Sequence, residues 1–490
     1  MKTLLEKLAL LTPNKARFFF DLFFALFASL FTATVLAQTS SFNKGFLLPL
    51  LAAPSVFLGI NMVLGLYSWF RISNIFIKGA ILWVAVGLAS FVIFLVSGSL
   101  VAGYLWGTLT ILPTFLVRLV LQASRGKPLN SSLSQVIHER GPVLVIGGAG
   151  YIGACVVDEL LKDKRAVRVL DKLMYGKAPL QSFLARPDFE LIEGDCADLG
   201  KLTSAMRGAS SVVHLAGLVG DPACAVSPEF TRQSNIISTR LAKEIAEGLG
   251  IHRFVFASSC SVYGVSDQEV TERDTLNPVS LYAQTKIDSE KELLQSVRDE
   301  FIVTILRFAT VFGHSARPRF DLVGNLFSAQ AWNTGEITVI GPDQWRPFIH
   351  VTDLARAIVL VLQSPSRRVQ NQIFNVGDER LNLTILDLAK AVQKVCLQIG
   401  KNVKINVQTE GTNDRRNYRV SFKKIKTSLK YSAETSVEDG ITEILQNFQK
   451  GVYKNYQDPS YSNLLTTKTL VNSGWRKSKE SLFTSLEENT

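Results

Sequence analysis

The chain has 490 residues, more than one ordinary domain, and 47% of them are hydrophobic, a larger fraction than a soluble protein needs. The formal net charge of +11 is spread along the sequence without a long basic cluster, which argues against a nucleic-acid partner. Five cysteines without a C-x-x-C pair argue against a disulfide framework and a zinc site, so we expect free thiols and no bound metal.

The hydrophobic excess lies almost entirely before Arg125. Three apolar runs there are long enough for four membrane-spanning helices, because one span needs about 20 residues. The predicted spans are residues 18–37, 46–70, 79–97 and 100–121, which makes residues 1–123 an all-α transmembrane four-helix unit. Residues 124–141 are polar and are predicted to be a linker.

The basic residues of this unit predict its orientation. They precede the first span, lie between the second and third, and follow the fourth, whereas the opposite loops hold only Lys44. By the positive-inside rule, the protein is a multi-pass inner-membrane protein whose remaining chain lies in the cytoplasm. A cleaved signal peptide ending at Val35-Leu36-Ala37 and buried core helices are the alternatives, but the long basic start and the further spans disfavour them.

A pattern typical of a dinucleotide site follows the linker. An apolar strand over residues 142–146 leads to Gly147, Gly150 and Gly153, and then to a helical run over residues 154–161. Such glycines permit a tight turn, a close approach of the backbone to a pyrophosphate, and close packing of helix on strand. The helix N-terminus presents free N–H groups to the anion.

Three further strands are predicted to end at the same edge of a parallel sheet. Residues 168–170 lead to Asp171, whose carboxylate suits the adenosine ribose and repels a 2′-phosphate, so NAD is favoured, although nearby Lys172 and Arg165 leave NADP open. The strands at 189–193 and 211–213 end close to polar or small residues. The predicted cofactor contacts are Gly147, Gly150, Tyr151, Ile152, Gly153, Asp171, Asp195, Cys196, Leu215, Ala216, Gly217, Tyr282 and Lys286.

A candidate catalytic group comes next in the chain. A strand over residues 254–257 leads to Ser259, and a helix then carries Tyr282 and Lys286, which share one face because they are four residues apart. A nearby ammonium favours the phenolate, so we expect Lys286 to lower the pKa of Tyr282 and make it a general acid/base. The Ser259 hydroxyl is placed to hold the sugar oxygen whose proton moves.

Residues 142–440 resemble an extended short-chain dehydrogenase/reductase of the nucleotide-sugar epimerase/dehydratase group. The resemblance rests on the motifs GGAGYIG, HLAG, SSCSVYG, YAQTK, LRFATVFG, RPFIHVTD and FNVG. It implies an α/β fold, with a Rossmann-type doubly wound parallel sheet that binds NAD and a small C-terminal lobe that binds a nucleoside-diphosphate sugar.

The resemblance also implies roles for single residues. Ser259, Tyr282 and Lys286 become the catalytic triad, and Asn235 matches an asparagine that supports the active-site helix. Arg346 matches an arginine that binds the diphosphate. The remaining substrate-binding candidates are Thr310, Arg317, Arg319, Arg415 and Arg416, with the register of the last two left open.

Departures from the family pattern reduce the number of reactions that we expect. The dehydratases carry an Asp-Glu pair just after the catalytic hydroxyl, and the decarboxylases keep an acid there, but this chain has Cys260 and Ser261. Elimination therefore lacks its acid and base. A 4-epimerase acting on a UDP-hexose through a 4-keto sugar is expected, although Thr310 replaces the asparagine of many hexose 4-epimerases. A ketosugar reductase or dehydrogenase and a non-enzymatic NAD-binding membrane sensor are the alternatives.

The membrane unit resembles the anchor of membrane-bound sugar-nucleotide dehydratases, which usually have methionine in place of Tyr282. We therefore expect a tyrosine-type epimerase held at the bilayer beside glycosyltransferases of cell-surface polysaccharide synthesis, working as a homodimer. Residues 441–490 are predicted to be a polar extension, either a surface arm or a dimer contact.

Overall fold

The computed structural model describes Ser29 and residues 141–295, 300–408, 414 and 416–472. The four predicted spans, most of the linker and Arg415 therefore lie outside the described residues. Within the described part of the chain, no helix is both long and apolar enough to cross a membrane.

Strands and helices alternate through the first half of the described chain, as the motif order predicts. In chain order they are β1 (Val143–Ile146), α1 (Tyr151–Lys162), β2 (Val167–Asp171), β3 (Phe189–Glu193), α2 (Leu199–Met206), β4 (Ser211–His214), α3 (Asp221–Val226), α4 (Pro228–Arg232), α5 (Ser238–Leu249), β5 (Arg253–Ser259), β6 (Val265–Val270), α6 (Leu281–Leu294) and β7 (Ile302–Phe308). One π-helical turn, Gln233–Ile237, joins α4 to α5.

The second half adds shorter strands and longer helices. These are β8 (Thr310–Phe312), α7 (Val323–Thr334), β9 (Glu336–Ile340), β10 (Trp345–His350), α8 (Val351–Gln363), α9 (Ser366–Val369), β11 (Gln372–Val376), β12 (Asn382–Thr384), α10 (Ile385–Gln398), β13 (Lys404–Gln408), β14 (Asn417–Val420), α11 (Lys423–Leu429), α12 (Val437–Gln449) and α13 (Asn463–Asn472).

Seven parallel strands form the main sheet in the order β3-β2-β1-β4-β5-β7-β11. This confirms the predicted doubly wound Rossmann-type sheet. Its strands are apolar and buried because helices cover both faces. On one face α1 packs through Val156 and Leu160, and on the other face α5 packs through Ala242 and Ala246.

A smaller lobe is built on short strands. Strand β10 lies between β8 and β12, and two parallel pairs, β9 with β13 and β6 with β14, complete its strands. Phe312, Phe348, Leu388 and Ile441 form the centre of its core. The predicted domain end at residue 440 falls inside α12, and the chain continues through α13.

Candidate active site

The glycine-rich loop lies between β1 and α1, at the carboxyl end of the sheet. Gly147 has a φ of +89°, and a Cβ on Gly153 would lie 2.2 Å from the Gly147 carbonyl oxygen, so neither position tolerates a side chain. A Cβ on Gly150 would meet only that same oxygen, at 3.3 Å. The N-terminus of α1 has no side-chain cap and no acidic residue in its first turn, so it suits a pyrophosphate.

Asp171 ends β2 beside this loop. Its two carboxylate oxygens accept hydrogen bonds from the Ala149 N–H at 2.9 Å and the Leu173 N–H at 2.7 Å. Burial raises the pKa of Asp171, and these backbone N–H groups oppose that rise. Each carboxylate oxygen can accept a second hydrogen bond, which leaves capacity for ribose hydroxyls.

The two basic residues that left NADP open are bound to other carboxylates. Lys172 Nζ lies 2.5 Å from Asp195 Oδ2, and Arg165 Nε lies 2.9 Å from Asp163 Oδ2. Because both positive charges are matched within the protein, the charge beside the ribose site is that of Asp171. The arrangement fits NAD better than a 2′-phosphorylated dinucleotide.

The other predicted cofactor residues lie along the same edge. The N–H groups of Leu215 and Ala216 donate to the Ile146 carbonyl oxygen at 2.9 and 2.8 Å, which holds the loop after β4 against β1. Gly217 has a φ of +153°. Burial raises the pKa of the Cys196 thiol to about 12, so the thiol stays protonated and is not expected to react.

Tyr151 and Ile152 open α1 below the cofactor edge. The Tyr151 hydroxyl donates to the Gly313 carbonyl oxygen at 2.8 Å and lies 3.2 Å from Asn325 Nδ2, so its side chain ties the first half of the chain to the second. Ile152 is half-buried and packs against the core on the same face. Both side chains are thus engaged in contacts within the protein.

Asn235 occupies the π-helical turn and is buried. Its Oδ1 accepts from the Leu218 N–H at 2.7 Å, and its Nδ2 donates to the Leu218 carbonyl oxygen at 3.0 Å and to Thr285 Oγ1 at 3.1 Å. It therefore positions the loop after β4 and the helix α6, in agreement with the role that the resemblance implied. All these partners are protein atoms, so the Asn235 side chain acts by holding the loop after β4 and helix α6 in place.

Ser259, Tyr282 and Lys286 meet where β5 ends and α6 begins. The Ser280 hydroxyl caps α6 by accepting from the Ala283 N–H at 3.2 Å, which fixes the first turn. Ser259 lies close enough to Tyr282 that its side chain lowers the pKa of the phenol, against the larger effect of burial. Lys286 Nζ lies 5.8 Å from the centroid of the Tyr282 ring and donates to the Ala257 carbonyl oxygen at 2.7 Å. The three predicted catalytic residues are brought together.

The electrostatics differ from the expectation. Burial raises the pKa of Tyr282, and the smaller contributions come from Cys224, Ser259, Asp221 and Arg319. Burial also lowers the pKa of Lys286 from 10.5 to about 8. The predicted acidification of Tyr282 by Lys286 is thus wrong for the protein alone, because burial of the phenol is the largest cause of its shift and raises its pKa.

The positions after the catalytic serine carry no acid. Cys260 and Ser261 are both buried, and the Cys260 thiol donates to the Arg307 carbonyl oxygen at 3.3 Å. Burial holds the Cys260 thiol protonated by raising its pKa. Of the predicted catalytic group, Tyr282 and the hydroxyl of Ser259 therefore remain as groups that could exchange a proton.

The predicted phosphate-binding arginines lie at β10 and β14. Arg346 is buried, with Nη2 3.2 Å from Asp414 Oδ2, and burial lowers the pKa of its guanidinium. Arg416 lies 2.5 Å from Asp414 Oδ2 through Nη2, and its carbonyl oxygen accepts from Arg346 Nη1. The two guanidinium groups thus meet at Asp414, and their role in phosphate binding stays a prediction, whereas Arg415 lies outside the described residues.

The remaining substrate-binding candidates are Arg317, Arg319 and Thr310. Arg319 forms a bidentate pair with Asp321, with distances of 2.9 and 3.1 Å. The Arg317 guanidinium stacks 3.7 Å from the centroid of the Tyr175 ring, and burial lowers its pKa to about 10. Thr310 begins β8, is half-buried and pairs with Phe348 of β10, which places it in the three-stranded sheet of the smaller lobe.

One carboxylate in this site was missed in the sequence. Asp221 opens α3, accepts from the Ser280 hydroxyl at 2.7 Å and lies 3.4 Å from Arg416 Nε. The sequence signal was a Gly-Asp-Pro at the start of a helix, directly after the loop that follows HLAG. Both oxygens of Asp221 are engaged, so it acts on the site through Arg416 and Ser280.

Comparisons with known proteins agree with this geometry. Residues 143–377 match the model of the NAD dependent epimerase/dehydratase family. A UDP-glucose 4-epimerase of Lactobacillus helveticus is 29% identical over 271 residues, which are 51% of this chain and 81% of the relative. A UDP-glucuronic acid decarboxylase of Xenopus tropicalis is 25% identical over 323 residues, 64% of this chain and 73% of the relative.

Solved structures are similar as well. The UDP-glucose 4-epimerase of Thermotoga maritima, determined with UDP-glucose, superposes with a TM-score of 0.57 at 25% identity, covering 64% of this chain and all of that one. The glycine loop, the strand-end acid and the serine–tyrosine–lysine group thus belong to an NAD-dependent enzyme domain, and its cofactor is NAD.

Proposed function

Because residues 143–377 belong to the NAD dependent epimerase/dehydratase family, we propose that the chain is a nucleotide-sugar 4-epimerase that acts on a UDP-hexose through a transient 4-keto sugar. The observation that carries this proposal is the group formed by Ser259, Tyr282 and Lys286, with Cys260 and Ser261 in place of carboxylates. Hydride transfer at C4 needs only the first three residues, whereas dehydration and decarboxylation need an acid beside them.

The protein groups divide the work of the first half-reaction. Ser259 and Tyr282 hold O4 of the sugar, and Tyr282 as phenolate takes the O4 proton while C4 releases its hydrogen as hydride, so that C4–O4 becomes a carbonyl. When bound along the edge formed by the glycine-rich loop and Asp171, NAD would supply the acceptor for this hydride and the donor for its return. Lys286 stabilises the phenolate through its charge, with its ammonium fixed by the Ala257 carbonyl oxygen.

The second half-reaction reverses the first on the other face of the sugar. After the keto sugar has turned in the site, C4 regains the hydride and Tyr282 returns the proton to O4. No atom is gained or lost over the cycle. Arg346 and Arg416 hold the diphosphate while the sugar turns, because a guanidinium binds phosphate in a bidentate manner.

An isotope experiment tests this reaction. The detergent-solubilised chain is incubated with UDP-, dTDP-, GDP- and CDP-sugars that carry deuterium at C4. Epimerisation that retains the deuterium at C4, without net consumption of NAD, is the expected result. Stoichiometric oxidation of NADH identifies a ketosugar reductase, release of CO₂ or water identifies a decarboxylase or dehydratase, and NAD binding without turnover identifies a sensor.

We also propose that residues 1–123 anchor this domain at the cytoplasmic face of the inner membrane. The three apolar runs, which are long enough for four spans, and the distribution of Lys and Arg support the proposal. Beside the bilayer, a homodimer of the enzyme would deliver its product to glycosyltransferases of cell-surface polysaccharide synthesis. Retention in the membrane after an alkaline wash, protease protection of tags at the loops, and native mass spectrometry of the full chain test these statements.

A further inference from the structure

Residues 450–472, here the C-terminal segment, lie against loops beside the catalytic site. The Phe320 N–H donates to the Tyr461 carbonyl oxygen at 3.0 Å, and Arg317 Nη2 donates to the Ser460 carbonyl oxygen at 3.2 Å. The Phe320 ring packs on the Tyr461 ring with centroids 5.7 Å apart and on the Tyr453 ring with centroids 5.0 Å apart. These contacts order a polar stretch that has no apolar periodicity of its own.

Asn463, the first residue of α13, connects two walls of the site. Its backbone N–H donates to Asp321 Oδ2 at 2.8 Å, and its Nδ2 donates to the Val219 carbonyl oxygen at 3.0 Å. Asp321 in turn holds Arg319. Asn463 thus joins the loop after β4, through its side chain, to the arginine-bearing loop before α7, through its backbone.

The loop that Asn463 holds touches the catalytic tyrosine. Leu218 packs with Ala223, Cys224 and Tyr282 in one buried cluster, and Val219 lies against that cluster. Gly220 follows with a φ of +102°, where a side chain would be strained. A displacement of Val219 is therefore transmitted directly to the surface above Tyr282.

Two buried polar atoms between the C-terminal segment and these loops have no hydrogen-bond partner within the described residues. They are Asn463 Oδ1 and Arg317 Nε, and both side chains are more than nine-tenths buried. Buried polar atoms in folded proteins are nearly always paired. Asn463 is held here by the bonds of its N–H groups, while its Oδ1 stays without a protein partner in the described part of the chain.

We propose that Asn463 is a positioning residue of the sugar-binding site, and that the C-terminal segment thereby helps to select which nucleotide sugar reaches Tyr282. The inference rests on the proposed nucleotide-sugar epimerase function and deepens it. Asn463 acts through Val219 and Asp321, which set the separation of the two walls. The segment is thus a part of the active site, and the catalytic domain extends at least to α13.

Asn463→Ala in the full chain tests this, with Asn472→Ala as the matched control because Asn472 is exposed at the other end of the same helix. We expect the KM for the preferred UDP-sugar to rise about tenfold in Asn463→Ala while kcat stays within about twofold, and the preference between UDP-glucose and UDP-glucuronic acid to change. The affinity for NAD and the midpoint of thermal unfolding should match those of Asn472→Ala. Asn463→Asp keeps the shape but loses the donor to Val219, so it should behave like Asn463→Ala.

Three results would overturn the inference. They are unchanged kinetics in both Asn463 variants, an equal loss for every sugar, or a loss of NAD binding together with a lower unfolding midpoint, which would show a purely structural role. Inactivity of the unmutated chain towards all sugars would instead remove the proposed function. In that case, calorimetric binding of UDP and UDP-glucose to the same variants decides whether Asn463 shapes the site.

Discussion

Arg416 Nε lies 3.4 Å from Asp221 Oδ2, so an arginine of the substrate lobe is paired with the first residue of a helix beside the catalytic tyrosine. The two residues are 195 positions apart in the sequence, and the pair joins the substrate lobe to the cofactor-binding half. Arg416 also contacts Asp414 at 2.5 Å. A diphosphate that binds Arg416 must therefore compete with two carboxylates.

Asp221→Asn should strengthen the binding of UDP. The substitution removes one competing charge from Arg416, while the amide oxygen can still accept from the Ser280 hydroxyl. Because the pair is partly exposed, we expect the dissociation constant for UDP to fall about two- to fivefold. Isothermal titration calorimetry of the full chain measures this. An unchanged or weaker affinity would show that Asp221 does not compete for the arginine.

Tyr282→Phe should abolish turnover without preventing cofactor binding. The change removes the hydroxyl that exchanges the proton with O4 but keeps the ring that packs with Leu218 and Cys224. General acid/base catalysis contributes about 10²–10⁴-fold, so kcat should fall by that factor at an unchanged Kd for NAD. Tyr431→Phe is the control, since its hydroxyl donates to the Asp353 carbonyl oxygen in α8 at 3.1 Å. Equal activity of both variants would exclude Tyr282 as the acid/base.

The activity should decline as the pH rises through about 8. Burial lowers the pKa of Lys286 to about 8, so its ammonium is present below that pH and lost above it. A neutral lysine no longer stabilises the phenolate of Tyr282, and we expect kcat/KM to fall about tenfold per pH unit on the alkaline side. A pH–rate profile of the free enzyme measures it. A profile that stays level to pH 10 would contradict the lowered pKa.

Two glycines of the cofactor loop should respond differently to alanine. Gly153→Ala places a Cβ 2.2 Å from the Gly147 carbonyl oxygen and 2.7 Å from Gly148 Cα, so helix and loop must separate at a cost of about 1–3 kcal/mol. Gly150→Ala meets only one atom, at 3.3 Å, and should fold normally but obstruct the pyrophosphate. Thermal unfolding without added NAD and calorimetric NAD binding separate the two effects. Equal unfolding midpoints would show that Gly153 is not sterically required.

The cofactor site could be predicted because its signal is local. Gly147, Gly150, Gly153 and Asp171 lie within 25 consecutive residues and follow recognisable strands. Residues at this separation keep their geometric relation whatever the rest of the chain does. The same holds for Tyr282 and Lys286, which are one helical turn apart.

Contacts between segments that are distant in the sequence could not be predicted from local patterns. Asn463 meets Val219 across 244 positions, and nothing in a polar stretch indicates which loop it will join. The predicted acidification of Tyr282 failed for a related reason, because spacing shows that two groups are near each other but not how deeply both are buried. Burial is a property of the assembled tertiary structure, and it determines the sign of such shifts.

The buried pair beneath the catalytic serine should be needed for stability. Glu290 is bound by Arg307 at 3.0 Å and 2.7 Å and by the Ser258 hydroxyl at 2.5 Å, and the two charged side chains are almost wholly buried. Arg307→Met leaves the Glu290 carboxylate buried without its positive partner, so the free energy of unfolding should fall by about 3–5 kcal/mol. Glu290→Leu combined with Arg307→Met leaves no buried charge and should recover part of that loss. Denaturant titration of Arg307→Met, of Glu290→Leu alone and of the double variant measures the coupling. A double variant no more stable than Arg307→Met would show that the two charges do not stabilise each other.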